Sequence, residues 1–452
     1  MNSNLTQLAP SEALIGWQSP QSGRGTWDII WSSLQTLALC AWVSVRVSAP
    51  SPTGGNWDIL RDKLYFVLLT LLGPEFVLLL AFGQWQMARA SLNEFHDAGY
   101  QCWTITHKFY ADMGGIHVKP TDFPSFPASS KQLLYLLRHG HIDIPDVTET
   151  EIKGLGKSDI LTKLITLLQA STFLITAAAR FAQGLGMTTL EVTVLANIFC
   201  TLGTYLCWWN KPSDVEVSHC YRLKISMAGL IEGAGEQCTG QYRDTPLDFI
   251  SRNEWVGSLV WNYFVNILRR FRLVSRLQSQ RPPVQKFSSF NFPRLTRRGC
   301  FVMLVVSMAY TAFFFGAWNF DFPTIAEQQL WRAVVATQAT IALLGPLPDV
   351  FMVDRDVKTN ECALLTPNIV ISSTLRLLRK IRRLWYYPCN NEMTGDFACL
   401  DVPLHSLLIL TPACALYVVC RWLIIAMDIA SLRQQPASTY ETVNWTMFLP
   451  WW

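Results

Sequence analysis

The residues best suited to chemistry form three groups. The first is Glu75, inside the apolar run "TLLGPEFVLLLAFGQW" at 70–85 and directly after Pro74. A carboxylate at the centre of a membrane helix costs roughly 2.5–3.5 kcal/mol on insertion scales, so it must face protein or a water-filled cavity. Pro74 removes one helix hydrogen bond, kinks the helix and frees a backbone carbonyl beside the acid. Burial favours the neutral carboxylic acid, which can donate a proton to a lipophilic substrate. The same residue also fits two structural roles, a neutral acid bonded to a neighbouring helix or a member of an ion pair.

The second group is Arg180, Arg332 and Arg421, each inside an apolar stretch. Glu191 and Glu327 begin helices at the same expected membrane face. The set reads as an ion-pair and cap network with snorkelling side chains, or as a pocket for a phosphate or carboxylate. The third is "HKFYAD", where His107 and Asp112 match the H-x4-D spacing of some glycerolipid acyltransferases. A structured juxtamembrane helix explains the same six residues. "RHGHID" adds His139, His141 and Asp143, a weak metal pattern without a third and fourth ligand. No phosphate-cradling glycine motif, nucleophile elbow or HExxH is visible, so the sequence implies no cofactor.

The elements that must position these residues are transmembrane. Only 15% of the 452 residues are charged and half are apolar, against about 25% charged in soluble domains. Several apolar runs reach the ~20 residues that span a bilayer. The expected fold is an all-α integral membrane protein with about seven transmembrane helices. They fall near 27–47, 64–86, 159–182, 189–209, 299–318, 325–345 and 402–427. Spans one and two occupy 27–86; 159–209 and 299–345 form hairpins. "MTTLE" and "PTIAE" open helices with capping-box spacing at Thr188/Glu191 and Thr324/Glu327.

Basic residues orient the chain. The N-terminal segment 1–26 and the loops 87–157, 210–298 and 346–401 hold 29 lysines and arginines, and the opposite-side segments 47–63, 183–188, 319–324 and 428–452 hold 3. The positive-inside rule then places the N-terminus in the cytosol and the tail 428–452 in the lumen, where the sequon at Asn444 is open to glycosylation. Residues 254–276 and 369–386 alternate apolar and basic faces at helical spacing, as surface helices on an anionic leaflet do. Packing on the protein's own cytosolic face would use the same pattern. Cys389 and Cys399 sit ten apart and would pair only in an oxidising compartment. The partner implied is the lipid bilayer, with no nucleic-acid signal.

Several phrases together carry a family resemblance. They are "GWQSPQSGRGTWDIIW" (16–31), "WTITHKFYADMGG" (103–115), "LLYLLRHGHIDIPDVTETEIKGLGKSDILTKLITLLQ" (133–169), "TYLCWWNKP" (204–212) and "YETVNWTMFLPWW" (440–452). The chain resembles a large group of uncharacterised fungal multi-pass membrane proteins. The resemblance implies a fungal source and an integral membrane protein. The expected location is the endoplasmic reticulum or another endomembrane. Some members lie among secondary-metabolite genes. It supplies no activity and no site. The leading expectation is a fungal multi-pass membrane protein of unknown biochemical role. The first concrete hypothesis is a membrane-embedded enzyme doing acid–base chemistry on a hydrophobic small molecule, with Glu75 as the acid and Arg332 or Arg421 as its charge partner. A scaffold or receptor-like module and a transporter are the alternatives.

Overall fold

The computed structural model describes residues 14–19, 23–51, 55–154, 157–213, 215, 218–235, 242, 244–251, 256–272, 283–290, 292–345 and 404–448. The expected surface helix at 369–386 and the Cys389–Cys399 pair lie outside the described residues. The chain is mostly helical. It opens with strand β1 (Leu14–Ile15), then α1 (Thr26–Val43), α2 (Asn56–Leu72) and α3 (Pro74–Asp97). A small polar layer follows: α4 (Ile105–Asp112), β2 (Ile116–Lys119), β3 (Phe126–Pro127), α5 (Ser130–Arg138) and α6 (Glu149–Gly154). Helices α7 (Lys157–Ala182) and α8 (Thr189–Cys207) form a hairpin. Strand β4 (His219–Arg222), α9 (Met227–Ala234), α10 (Asp248–Ser251) and α11 (Val256–Arg270) precede a second hairpin, α12 (Arg297–Gly316) and α13 (Ile325–Leu344). The last long helix is α14 (Leu404–Ser431), followed by β5 (Gln435–Pro436).

Four segments are long and apolar enough to cross a membrane: Leu161–Ala182, Thr189–Cys207, Arg297–Gly316 and Leu410–Ser431. The bent pair α2–α3 passes the same test when its halves are taken together. Helices α1 and α13 stand in the same bundle with a more polar inner face. In α1, Thr26, Ser33 and Thr36 are buried while Trp27, Trp31, Leu34 and Trp42 are exposed. Along α7 a file of leucines and isoleucines, among them Leu161, Leu164, Leu168 and Ile175, points outward. Apolar side chains outside and polar ones inside suit a bundle solvated by lipid tails. Helix α8 is the axle, packing on α1, α3, α12 and α14.

The expected span at 64–86 is not one helix. It breaks at Gly73, and its halves α2 and α3 diverge by 113°. Pro74 does not kink a helix but begins one, at the first position, where its missing N–H costs nothing. The residue before a proline is pushed out of helical geometry, and Gly73 obliges with φ −154° and ψ 68°. Any side chain there would collide with Phe76, whose ring comes within 2.7 Å of an added Cβ.

The orientation of the two chain ends is also corrected. Strand β1 pairs antiparallel with β5, Leu14 against Pro436 and Ile15 against Gln435. Arg24 N–H donates to the Tyr440 carbonyl at 3.1 Å, and the Arg24 guanidinium pairs with Glu191 at the start of α8. The segment before α1 and the tail after α14 therefore lie at one end of the bundle, not at opposite ends. Arg433 pairs with Glu327 at the start of α13, and Gln183 just past α7 holds Asn444. So α1 leaves this end and α7 returns to it. The broken pair between them must enter and leave at the other end. A count of apolar runs treats every run as a crossing, and that is why the sequence placed the ends apart.

The polar layer closes that other end. Parallel β2–β4 and antiparallel β2–β3 pairs make a three-stranded sheet. Its core joins Phe95, Trp103, Tyr110, Val118, Phe126 and Leu133.

Candidate functional site

The break in α2–α3 sits deep in the bundle. Helix α3 runs alongside α8 in the same sense, with Leu78 against Gly203 and Gln84 accepting hydrogen bonds from Trp208 Nε1 (3.1 Å) and Lys211 Nζ (2.9 Å). Three residues back from Leu78, Glu75 lies level with Cys200. That is about 16 Å from the Thr189 end of α8 and about 10 Å from its Cys207 end, at 1.5 Å per residue. Ending α2 there orphans backbone carbonyls that neither water nor lipid can satisfy. Arg421, two and a half turns before the end of α14, supplies the donor: its Nε lies 2.6 Å from the Leu72 carbonyl.

Around this bond the polar atoms cluster. The Tyr417 hydroxyl donates to Glu75 Oε1, and its ring packs edge-on against Phe76, 5.2 Å between centroids. The Arg421 guanidinium lies 5.6 Å from the Tyr310 ring centre and 5.5 Å from that of Phe314. It is 1% exposed, so these ring faces take the place of water around the cation. The Tyr310 hydroxyl faces the Glu75 carboxyl without meeting hydrogen-bond geometry. Four atoms in the cluster are buried and have no hydrogen-bond partner among the described residues: Glu75 Oε2, Tyr310 Oη, and Arg421 Nη1 and Nη2. Each such group typically costs about 1–3 kcal/mol, more if charged. Two turns further along α14, Asp428 Oδ2 accepts from Thr193 Oγ1 at 2.7 Å, while Oδ1 is buried without a partner.

The other expected site residues are placed elsewhere. Arg180 is as deeply buried as Arg421, but its donors go to backbone carbonyls of Gly186, Ser438, Thr439 and Glu441 at 2.6–3.1 Å. It clamps the tail onto the α7–α8 turn. Arg332 donates from Nε to the Trp318 carbonyl (3.0 Å) and from Nη2 to Asn319 Oδ1 (3.3 Å), closing the end of α12. The three arginines therefore do not converge on one pocket. His107 lies in the capping box of α4. Its Nδ1 accepts from the Thr104 N–H at 3.2 Å, which leaves Nε2 to donate to the Val147 carbonyl at 2.8 Å. Asp112 pairs with Lys108 at 2.6 Å and accepts from the Ser130 N–H at 2.8 Å. Five residues apart on a helix of 3.6 per turn, the two side chains leave opposite faces. They form no acid–base pair.

His139 and His141 stack at 5.8 Å, and Asp143 pairs instead with Lys224. Among the described residues no group of three or more His, Cys, Asp or Glu is placed to hold a metal. Asn444 is exposed, its Oδ1 accepting from Thr446. A shallow apolar cleft between α1, α7 and α8, lined by Cys40, Thr166, Ala170 and Ile198, does not reach Glu75. At the polar layer Lys211 is buried. Burial, with the charges of Arg46 and Lys108 nearby, holds its ammonium well below the usual lysine range.

Sequence reading missed Tyr310, Tyr417 and Asp428. The last was assigned to the tail, because the apolar run stops at Met427. The signal was periodic: Tyr417, Arg421 and Asp428 fall at i, i+4 and i+11, one face of a helix, and Thr193, Asn197 and Cys200 fall at i, i+4 and i+7 on one face of α8.

A model of a family of unknown function, DUF8562, matches residues 3–227, which takes in α1 to α8 and the polar layer. No curated protein and no solved structure matches the chain.

Proposed function

We propose that this is an integral membrane protein that binds a hydrophobic small molecule at the broken helix and performs acid–base chemistry on it. Glu75 is the proton donor and Arg421, not Arg332, is its charge partner. The observation that supports this reading is the set at mid-depth that lacks partners among the described residues: one acidic oxygen and three donor atoms, buried in one cluster around a helix break. A carbonyl or carboxylate oxygen on a bound molecule would accept from Arg421 and Tyr310 while Glu75 supplies the proton. The apolar chain of such a molecule matches a fungal secondary metabolite or lipid. A transporter is the second reading, favoured by the break itself, because discontinuous helices build midplane binding sites in transporters.

The test is Glu75→Gln, which keeps size and hydrogen bonding but cannot donate a proton of that strength. The variant should melt in detergent within about 1 kcal/mol of the parent and fail to complement a deletion strain. Full complementation by a stable Gln variant would remove Glu75 from the chemistry and leave a scaffold role.

The orientation follows from the same architecture. Thirty of the 37 lysines and arginines lie in 47–63, 87–157, 210–298 and 346–401, whereas the segments that meet at the other end carry two, Arg24 and Arg433. We assign the basic end to the cytosol and both chain ends to the lumen of an endomembrane such as the endoplasmic reticulum.

A further inference from the structure

We infer that Glu75 and Asp428 share a single proton across Arg421, and that Glu75 is reprotonated from the end of the bundle where the two chain ends meet. The inference rests on the reading of Glu75 as a proton donor, and it adds Asp428 as the residue that recharges it.

Charge balance is the first argument. Among the described residues, the ionisable groups within electrostatic reach of Arg421 include Tyr310, Tyr417, Glu75, Asp428 and Cys200. Two of them are carboxylic acids and one guanidinium must serve both. Isolated charge is costly in a medium of low polarity. The triad is neutral when one carboxyl is ionised and the other holds a proton. Moving that proton from one carboxyl to the other leaves the net charge at zero, so neither placement is penalised for charge.

The second argument is geometric. Asp428 lies seven residues beyond Arg421 on one face of α14, about 10 Å along the axis. The interval is bounded by the buried atoms that lack partners: Asp428 Oδ1 at one side, and Arg421 Nη1 and Nη2, the Tyr310 hydroxyl and Glu75 Oε2 at the other. Polar atoms of this kind hold bridging water, which typically makes about three hydrogen bonds. From α8, Cys200 packs in the same buried cluster as Tyr310 and Ile424. Beyond Asp428 the polar file continues to the bundle end. Thr193 donates to Asp428, and Thr189 and Ser431 meet at 3.1 Å one turn further out. Toward the cytosolic end the buried face of α3 next to Glu75 is apolar, with Val77, Leu78, Leu80 and Ala81. The polar route is therefore one-sided.

The cycle balances. Glu75 loses its proton to the bound molecule and becomes a carboxylate, which leaves the triad with one excess negative charge. A proton from the aqueous phase at the joined ends binds Asp428 and restores neutrality. One O–H bond then breaks at Asp428 Oδ1 as one forms at Glu75 Oε2. Each intervening hydroxyl or water accepts one proton and releases one.

The test uses the full-length protein in lipid nanodiscs and infrared spectroscopy of protonated carboxyls, with no ligand needed. A carboxylic acid band that disappears in Glu75→Gln reports the proton on Glu75. Its deuterium shift after transfer to heavy water reports how fast that proton is replaced. Thr193→Val keeps both carboxyls and withdraws the hydroxyl that leads to Asp428, so it should slow replacement at least about tenfold, the smaller end of what a positioned acid–base group contributes. Asp428→Asn leaves Glu75 as the one carboxyl of the triad, so charge balance ionises it and its acid band should vanish, whereas Asp428→Glu, which keeps the second acid, should keep the band. A Glu75 band that persists in folded Asp428→Asn, or exchange in folded Thr193→Val within about twofold of the parent, overturns the shared proton and its relay but leaves Glu75 as the donor. Failure to find any acid band that depends on Glu75 in the parent overturns both the shared proton and the proposed function. If Asp428→Asn does not fold, the exchange rate in Thr193→Val decides the relay by itself.

Discussion

Arg180 and Arg421 are both buried within apolar helices, and they are built in opposite ways. Every nitrogen of Arg180 donates to a backbone carbonyl. Around it the charges of the bundle end are paired: Arg24 meets Glu191, Arg433 meets Glu327, and both helix starts have threonine caps, although Arg24 Nη1, Glu327 Oε2 and Thr439 Oγ1 are buried without a partner among the described residues. Among the described residues Arg421 makes one hydrogen bond, to Leu72, and keeps two nitrogens unpartnered against aromatic faces. Residue type and degree of burial are the same, so neither predicts role. The number of donors already engaged is what separates a clamp from a site. A satisfied buried cation stabilises the fold that satisfies it. An unsatisfied one raises the energy of the folded state, and such strain persists where it serves binding or catalysis.

The largest effect expected from this contrast is at Arg180. Arg180→Met leaves several tail carbonyls buried and unbonded and should cost roughly 3–5 kcal/mol, the range for breaking a buried charged network. Arg421→Met removes one hydrogen bond and should cost less than half as much. Thermal melts in detergent measure both, and equal losses would erase the distinction between clamp and site. Next is Gly73. Gly73→Ala forces a methyl against the Phe76 ring and should cost about 1–3 kcal/mol, as overpacking does. Combining it with Phe76→Ala should recover part of that loss, and additive losses would mean the break does not depend on this contact. The smallest effect on stability is at Asn444. Asn444→Gln leaves the fold unchanged, within about 0.5 kcal/mol for an exposed residue, but removes the acceptor of the sequon. A sequon appended to the N-terminus should be glycosylated in the same compartment as one appended to the C-terminus. Modification of only one of the two would break the pairing of the ends across β1 and β5.

Much of this protein was legible in the order of its residues. Apolar run length marks helices that lipid can solvate, and the threonine–glutamate spacings at 188/191 and 324/327 mark where two of them start, because caps are local. Glu75 was visible as an anomaly for the same reason: a carboxylate in an apolar run is out of place whatever surrounds it. The positions that decide function were not local. Pro74 reads as a kink or as a helix start with equal ease. Arg421 reaching back across the bundle to the Leu72 carbonyl is what makes the broken form stable. Whether the run at 64–86 crosses the bundle or turns back depends on where α7 ends, and that is settled by contacts between residues 180 and 441. His107 and Asp112 matched a catalytic spacing that the helix then separated onto two faces. Asp428 stood one residue beyond the apolar run and was counted with the tail, although α14 continues through it and buries it. Sequence determines the local preferences of each segment. The partners of a buried charge come from segments hundreds of residues apart, so only the tertiary structure decides whether that charge is a strut or a site.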